Sequence, residues 1–225
     1  VIPALNEAGA IEGVVAAALE HADDVIVVDD GSSDGTGDLA REAGAFVLRH
    51  ERNLGVGTAV ANGLAAARER GATVAIQLDG DGQHDAACVP ALLEEIDGGA
   101  NLVIGTRFES GFPMSVVRRT VTKLFAWAVS RRVGRPISDP TSGFRAFDER
   151  AMDMLIPIFP KPYLSDTVEL LLIAAEHDLI VRAVPVRMFQ RSSGQASAGL
   201  TQSVGFAMRM VLIIARHSRL GARSR

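Results

Sequence analysis

From residue 1 to about residue 106 the chain repeats one pattern: a short unbroken apolar run, a turn rich in glycine or aspartate, then a stretch with helical spacing. The run "DVIVVDD" (24–30) is the clearest case. Its β-branched residues follow one another without polar alternation, which marks a strand covered on both faces. "VIPAL" (1–5), "AFVLRH" (45–50), "ATVAIQL" (72–78) and "ANLVIGTRF" (100–108) continue the series. Between them lie helical patterns. Asn6 is expected to cap a helix whose Ile11, Val14, Val15, Ala18 and Leu19 share a face, and Ser33 or Thr36 to cap the next. This alternation predicts an α/β fold, a mostly parallel doubly wound sheet with helices on both faces.

In such sheets ligands lie beyond the carboxyl ends of the strands. Three polar clusters follow strand ends here: "VDDGSSDGT", "LDGDGQHD" and "GTRF". In the second, Asp79 and Asp81 stand two apart in a turn with Gly80 and Gly82. Hard carboxylate oxygens at that spacing suit Mg²⁺ or Mn²⁺, which bind one or two carboxylates and complete their shell with phosphates and water. A calcium-binding helix–loop–helix is excluded, because the twelfth position from Asp79 is Pro90 rather than Glu. The D-x-D-x-T pattern of phosphatases fails at Gln83. Carboxylates that merely solvate a turn remain the alternative, with His84 as a turn histidine. "NLGVGTAVANG" contains G-x-G but lacks the third glycine of a dinucleotide site, so helix packing explains its glycines better.

After residue 110 the rhythm changes. A basic helix is expected over "MSVVRRTVTKLFAWAVSRRVG", with Val117, Val121, Leu124, Phe125 and Ala128 apolar, then a loop and strand in "SDPTSGFRAF" and a helix in "SDTVELLLIAAEHD". "LIVRAVPVRMF" reads as an edge strand or a strand end because of Pro185. The formal net charge of −4 hides a split: residues 1–105 hold 5 of the 23 Lys+Arg and 18 of the 27 Asp+Glu. A basic second half suits phosphates or an anionic membrane surface; the alternative is two halves that neutralise each other. No run reaches the roughly 18 apolar residues needed to span a bilayer. Arg209 and Arg216 share a face of the last helix, opposite Phe206, Met210 and Ile213 or Ile214, and Trp127 sits among basic residues. These features suit a membrane interface. The lone Cys88 forms no internal disulfide, which fits a reducing cytoplasm. The opening "VIPALNE" is expected to begin inside a strand, with a few native residues in front of it, and no signal peptide is expected there.

"VIPALNE", "VVDDGSSDGT", "NLGVGTAVANG", "QLDGDGQHD", "VIGTRF" and "SDPTSGFRAF" follow one another in an order that resembles family-2 glycosyltransferases, above all the polyprenyl- and dolichyl-phosphate mannose or glucose synthases. The resemblance covers roughly residues 1–197, with 198–225 as an appended amphipathic helix. It implies a GT-A fold, a UDP- or GDP-hexose donor, a Mg²⁺ or Mn²⁺ ion and inversion at the anomeric carbon. By the same resemblance Pro3, Leu5 and Glu7 contact base and ribose, and Asp30, with Asp29 beside it, reads the base. Asp79 and Asp81 become the D-x-D metal pair, with Gly80 in the turn and Gln83 assisting. Arg107 and Arg191 lie near the donor phosphates. The family's usual lysine six residues after Arg191 is Ser197 here, leaving Arg187 or Arg145 to supply that contact. Thr167 stands where relatives often carry an acid, with Asp166 next to it.

The implied chemistry divides the work. Asp81 with its metal, and Arg107, stabilise the departing diphosphate. A polyprenyl phosphate acceptor is already anionic and needs no strong base, whereas a hydroxyl acceptor needs one, for which Asp166 and Glu169 are candidates. Glu169 paired with Arg145 in a structural role is the other reading. The partners expected are the donor, the lipid acceptor and the inner face of the membrane from the cytoplasm, with no nucleic acid; a second copy or a membrane-embedded partner stays open. A soluble hydroxyl acceptor and a non-catalytic nucleotide-sugar-binding module are the alternatives.

Overall fold

The computed structural model describes residues 1–106, 116–160 and 165–189. The β-α repeat forms as the sequence predicts. β1 (Ile2–Ala4), α1 (Ile11–Leu19), β2 (Ile26–Asp29), α2 (Thr36–Glu42), β3 (Phe46–Arg49), α3 (Val56–Glu69), β4 (Val74–Gln77), α4 (Val89–Asp97) and β5 (Leu102–Thr106) follow in order. Then come α5 (Val116–Val133), β6 (Arg145–Asp148), α6 (Glu149–Leu155), α7 (Ser165–Glu176) and β7 (Val181–Pro185).

β1, β2 and β3 form a parallel set, and a second set runs in the order β4-β6-β5-β7. The backbone of Val1 joins them: its N donates to Ile76 O at 2.7 Å and its O accepts from Leu78 N at 3.0 Å. β5 and β7 pair in parallel, while β6 runs antiparallel to both of its neighbours. β7 is an outer strand of its set and ends on Pro185, where the missing N–H costs no ladder bond.

The unbroken apolar strands are buried from both sides. Ile26 and Val28 pack toward α3, with Phe147, Met152, Leu155 and the α7 residues Val168, Leu171 and Leu172 in the same cluster. Val25 and Val27 pack the opposite way, with Ile2, the α1 face, Leu92 of α4 and Ala146. Successive side chains on a strand point to opposite faces, so Ala146 and Phe147 serve different cores. Each fully buried Val or Ile contributes about 1.5–3 kcal/mol of transfer free energy, which favours this two-sided cover over an exposed sheet face.

Local expectations differ in three places. Asn6 does not cap α1: its φ is 54°, Ala10 stands at the cap position, and its Oδ1 accepts from Ser33 N at 3.0 Å. Neither Ser33 nor Thr36 caps α2. Gly35 stands at the cap position without a side-chain cap, and Asp34 just before it accepts from Thr36 N at 3.0 Å. On α1 the buried residues are Ile11, Val15 and Ala18, and Leu19 is exposed at the helix end.

In α5, Phe125 and Val129 are buried with α7, and Arg132 reaches Glu176 at 3.7 Å. The described part of this basic helix therefore packs on the core. Trp127 on the same helix is 63% exposed. Val117, Val121 and Leu124 have side chains outside the described residues, as does the whole of the helix expected at Arg209 to Arg216. Among the described residues, no helix is long and apolar enough to cross a membrane.

Candidate active site

The loops after β1, β2, β3 and β4 gather at one edge of the sheet. Pro3 closes the gap between β1 and the acidic turn, since a Cβ on Gly80 would lie 3.3 Å from Pro3 O and from the Ala4 Cβ. Glycine at position 80 therefore has a packing reason in addition to any ligand contact. Leu5 is exposed beyond the strand end. Glu7 is buried; its N donates to Thr36 Oγ1 at 2.9 Å, and its O receives Ala10 N and Ile11 N.

The two aspartates of "VDDGSS" are both committed to holding loops. Asp29 is wholly buried: Oδ1 accepts from Ser32 N at 2.8 Å and Oδ2 lies 3.3 Å from Arg49 Nε. It underpins the turn from within. Asp30, also buried, accepts at Oδ1 from Leu54 N at 2.9 Å and at Oδ2 from Gly55 N at 2.8 Å. His50 Nδ1 lies 2.6 Å from the same Oδ1, and Asn62 Nδ2 is 3.0 Å from His50 Nε2. Asn62 donating to Nε2 places the ring hydrogen on Nδ1, where it donates to Asp30; this tautomer follows from the bonding network. Asp30 thus anchors the 50–55 loop to the end of β2. Gly31 sits under that loop with φ +83°, and a Cβ there would approach Arg52 C to 2.7 Å. Leu54, 43% exposed, and Leu5 are the apolar side chains flanking this part of the edge.

After β4, the Asp79 side chain is 39% exposed and Asp81 is nearly buried. Asp81 Oδ1 accepts from Gln83 N at 3.0 Å, which closes the turn. Asp85, the third carboxylate of the cluster, caps the next turn by accepting from Ala87 N at 3.1 Å. Two aspartates rather than three therefore face this part of the site. Among the described residues no group of three or more His, Cys, Asp or Glu could hold a metal. Two aspartates with one open carboxylate fit Mg²⁺ or Mn²⁺, which take remaining ligands from phosphate and water. The pair does not fit a closed structural site.

The reversal of β6 brings the residues just before it, rather than after it, to this edge. Phe144 stacks on His84 with ring centroids 5.1 Å apart, and a Cβ on Gly143 would lie 2.7 Å from Asp79 Oδ1. The segment after β7 lies along the same turn: Phe189 N donates to Gln83 O at 2.8 Å, and Arg187 Nη1 is 3.7 Å from Asp85 Oδ2. Arg187 is largely exposed there. Arg145 is not an alternative phosphate contact. It is wholly buried, and its Nε donates to Ser142 O at 3.1 Å, because the position pairs with Gln77 within the sheet.

Glu169 is half-buried on α7 between Val168 and Leu170, both buried. Arg107, Arg191 and Ser197 lie outside the described residues, as does the side chain of Asp166. The sequence reading missed His50, Asn62, Gly143 and Phe144. "SDPTSGFRAF" carried the last two as a loop motif without indicating what they touch.

Comparisons with known proteins identify the family and the fold. The model of "Glycosyl transferase family 2" matches residues 1–155. UDP-N-acetylglucosamine–dolichyl-phosphate N-acetylglucosaminyltransferase of Methanococcus voltae is 28% identical over 92% of this chain and 90% of its own length. Polyprenol monophosphomannose synthase of Mycolicibacterium smegmatis is 32% identical over 76% of this chain and 68% of its own. Among solved structures, glucosyl-3-phosphoglycerate synthase of Mycobacterium tuberculosis, in complex with Mn²⁺, uridine-diphosphate-glucose and phosphoglyceric acid, superposes with TM-score 0.73. It is 22% identical over 96% of this chain and 77% of that one. The architecture is thus a GT-A fold. A sheet edge that gathers four strand-end loops around the Asp79–Asp81 turn, in a chain whose first 155 residues match the family model, leads to one assignment: the chain belongs to glycosyl transferase family 2.

Proposed function

We propose that the chain is an inverting, metal-dependent hexosyltransferase that moves a sugar from a UDP- or GDP-hexose to a polyprenyl phosphate. The observation that carries the reading is the Asp79–Asp81 turn, packed through Gly80 onto Pro3 and so set beside the β1 and β2 loops. The arrangement supports a cation held by Asp79 and Asp81 close to a nucleoside bound over the β1 and β2 loops. The relatives named for dolichyl and polyprenyl phosphates support the acceptor class.

In the reaction, the C1–O bond to the diphosphate breaks as an acceptor phosphate oxygen bonds C1 from the opposite face. The electron pair leaves with the nucleoside diphosphate. A divalent cation held by Asp79 and Asp81 would neutralise charge on that leaving group. Arg107 and Arg191 are proposed to add charged donors there. Pro3, Leu5 and Glu7 would line the nucleoside end, with Asp29 and Asp30 shaping it from beneath.

Residues 1–197 would form the transferase domain and 198–225 a helix at the inner face of the membrane, reached from the cytoplasm. The charge split and exposed Trp127 support that placement. A hydroxyl acceptor is the second reading, since a neighbour of the same fold was solved with phosphoglyceric acid. It would need a base, for which Glu169 and Asp166 are the candidates.

Thermal unfolding with UDP, GDP and dTDP sugars, each with and without Mn²⁺, tests the donor site. Saturation at a hundred times the dissociation constant adds about 2.7 kcal/mol to stability. One nucleotide is expected to raise Tm only with metal, and not in Asp81→Ala. No shift with any nucleotide would overturn the transferase reading in favour of a module with another ligand.

A further inference from the structure

Asp79 is approached at two points, by His84 of its own turn and by Gly143, remote in sequence. A Cβ on Gly143 would fall 2.7 Å from Oδ1, 2.9 Å from Oδ2 and 3.1 Å from Cγ of Asp79. The backbone at 143 is therefore pressed against the flat of the carboxylate, and no other residue type leaves that space. His84 holds the other side. Its Nδ1 accepts from Asp79 N at 3.0 Å, and its Nε2 lies 3.6 Å from Asp79 Oδ2. An accepting Nδ1 leaves the ring hydrogen on Nε2, toward the carboxylate. The ring is buried and fixed in turn by stacking on Phe144 at 25° between planes.

Gly143 and Phe144 are adjacent, and both reach this edge because β6 runs antiparallel, with Arg145 opposite Gln77. One dipeptide thus sets the position of the carboxylate directly and, through the His84 ring, the position of the backbone that bears it.

We propose that Gly143 and His84 are positioning residues that fix the Asp79 carboxylate in the orientation needed for a divalent cation. This rests on the reading that Asp79 and Asp81 hold that cation. Asp79 Oδ1 and Oδ2 end a short, partly exposed side chain, so an added methyl at 143 is relieved by rotating that carboxylate rather than by unfolding the loop. Gly143→Ala is then mild for the fold and severe for the site. Groups that orient a metal ligand without touching the metal typically change affinity by about 10–100-fold when removed.

The test is an electron paramagnetic resonance titration of Mn²⁺, alone and with UDP or GDP, on the whole chain, with Tm measured in parallel. Gly143→Ala is expected to lose about 10–100-fold in Mn²⁺ affinity while its Tm stays near that of the wild type. His84→Ala is expected to lose affinity as well. His84→Asn, whose Oδ1 can replace Nδ1 as acceptor for Asp79 N, is expected to recover most of it. Wild-type affinity in Gly143→Ala, with Asp79→Ala binding poorly, would overturn the positioning role and leave the metal pair standing. A His84→Asn variant as weak as His84→Ala would overturn the role of the ring as acceptor. No Mn²⁺ signal in the wild type would overturn the metal pair itself and this inference with it.

Discussion

Replacing Asp30 by alanine isolates what this carboxylate does for the nucleoside end of the site. In the wild type it accepts from Leu54 N at 2.9 Å, Gly55 N at 2.8 Å and His50 Nδ1 at 2.6 Å. A hydrogen bond to a charged group contributes about 1.5–3 kcal/mol, but contributions at one acceptor do not add in full. Leu54 is 43% exposed, so water can reach the freed amides and lower the penalty. About 3 kcal/mol is the expected loss, below the roughly 4.5 kcal/mol that three such bonds would reach at the lower end if they added in full. At roughly 2–4 °C per kcal/mol for a chain of this size, Tm should fall by about 6–12 °C. Asp30→Asn keeps one accepting oxygen and should lie between. The assay is thermal and urea unfolding of Asp30→Ala, His50→Ala and the double variant. Coupling of at least about 0.5 kcal/mol between the two sites is expected for residues in one network. Strict additivity, or a Tm within two or so degrees of wild type, would refute the claim that Asp30 anchors the 50–55 loop.

Four further substitutions have expected outcomes. Gly37→Ala would put a Cβ 2.5 Å from the buried Asp29 Oδ2 and should cost about 1–3 kcal/mol. Gly13→Ala, with nothing within 4 Å, should instead stabilise by about 0.4–1 kcal/mol, and urea midpoints distinguish the two. Burial alone would raise the Asp34 pKa, but hydrogen bonds from the Thr36 hydroxyl and the amides of Ala8 and Thr36 outweigh it and hold it below the ordinary carboxylate range. Its contribution is therefore present above that range and fades as pH falls through it. The stability difference between wild type and Asp34→Asn, followed by acid titration, should shrink on acidification. Trp127→Ala should change stability by no more than about 0.5 kcal/mol yet reduce sedimentation with anionic vesicles; unchanged sedimentation counts against a membrane role for α5.

Much of the fold is legible because it is local. An unbroken run such as Val25–Val28 signals two-sided burial wherever it lies, and glycine turns separate it from helical spacing. The direction of β6 is not local: it depends on Ala146 and Phe147 finding opposite cores between β4 and β5. For the same reason Arg145, by sequence a candidate phosphate contact or a partner of Glu169, ends wholly buried in the sheet. Caps are also misleading where several candidates stand together: neither Ser33 nor Thr36 caps α2, and Asp34 accepts from Thr36 N. In the site, Asp79 and Asp81 are recognisable by chemistry and spacing. Their supports are not, because glycine at 143 and phenylalanine at 144 carry no functional signal until the strand reversal places them behind the turn. Likewise His50 and Asn62 become meaningful only once α3 returns along β2.

The most direct test of the central claim is transfer itself. The whole chain is incubated with Mn²⁺, radiolabelled UDP- and GDP-hexoses in turn, and a polyprenyl phosphate in detergent or vesicles, with 3-phosphoglycerate as the competing soluble acceptor. The expected product is an organic-extractable glycosyl phosphate of inverted anomeric configuration, formed from one donor, dependent on metal and absent in Asp79→Ala and Asp81→Ala. Label found only in the aqueous phase on phosphoglycerate, or lipid product that persists in both variants, would contradict the central claim.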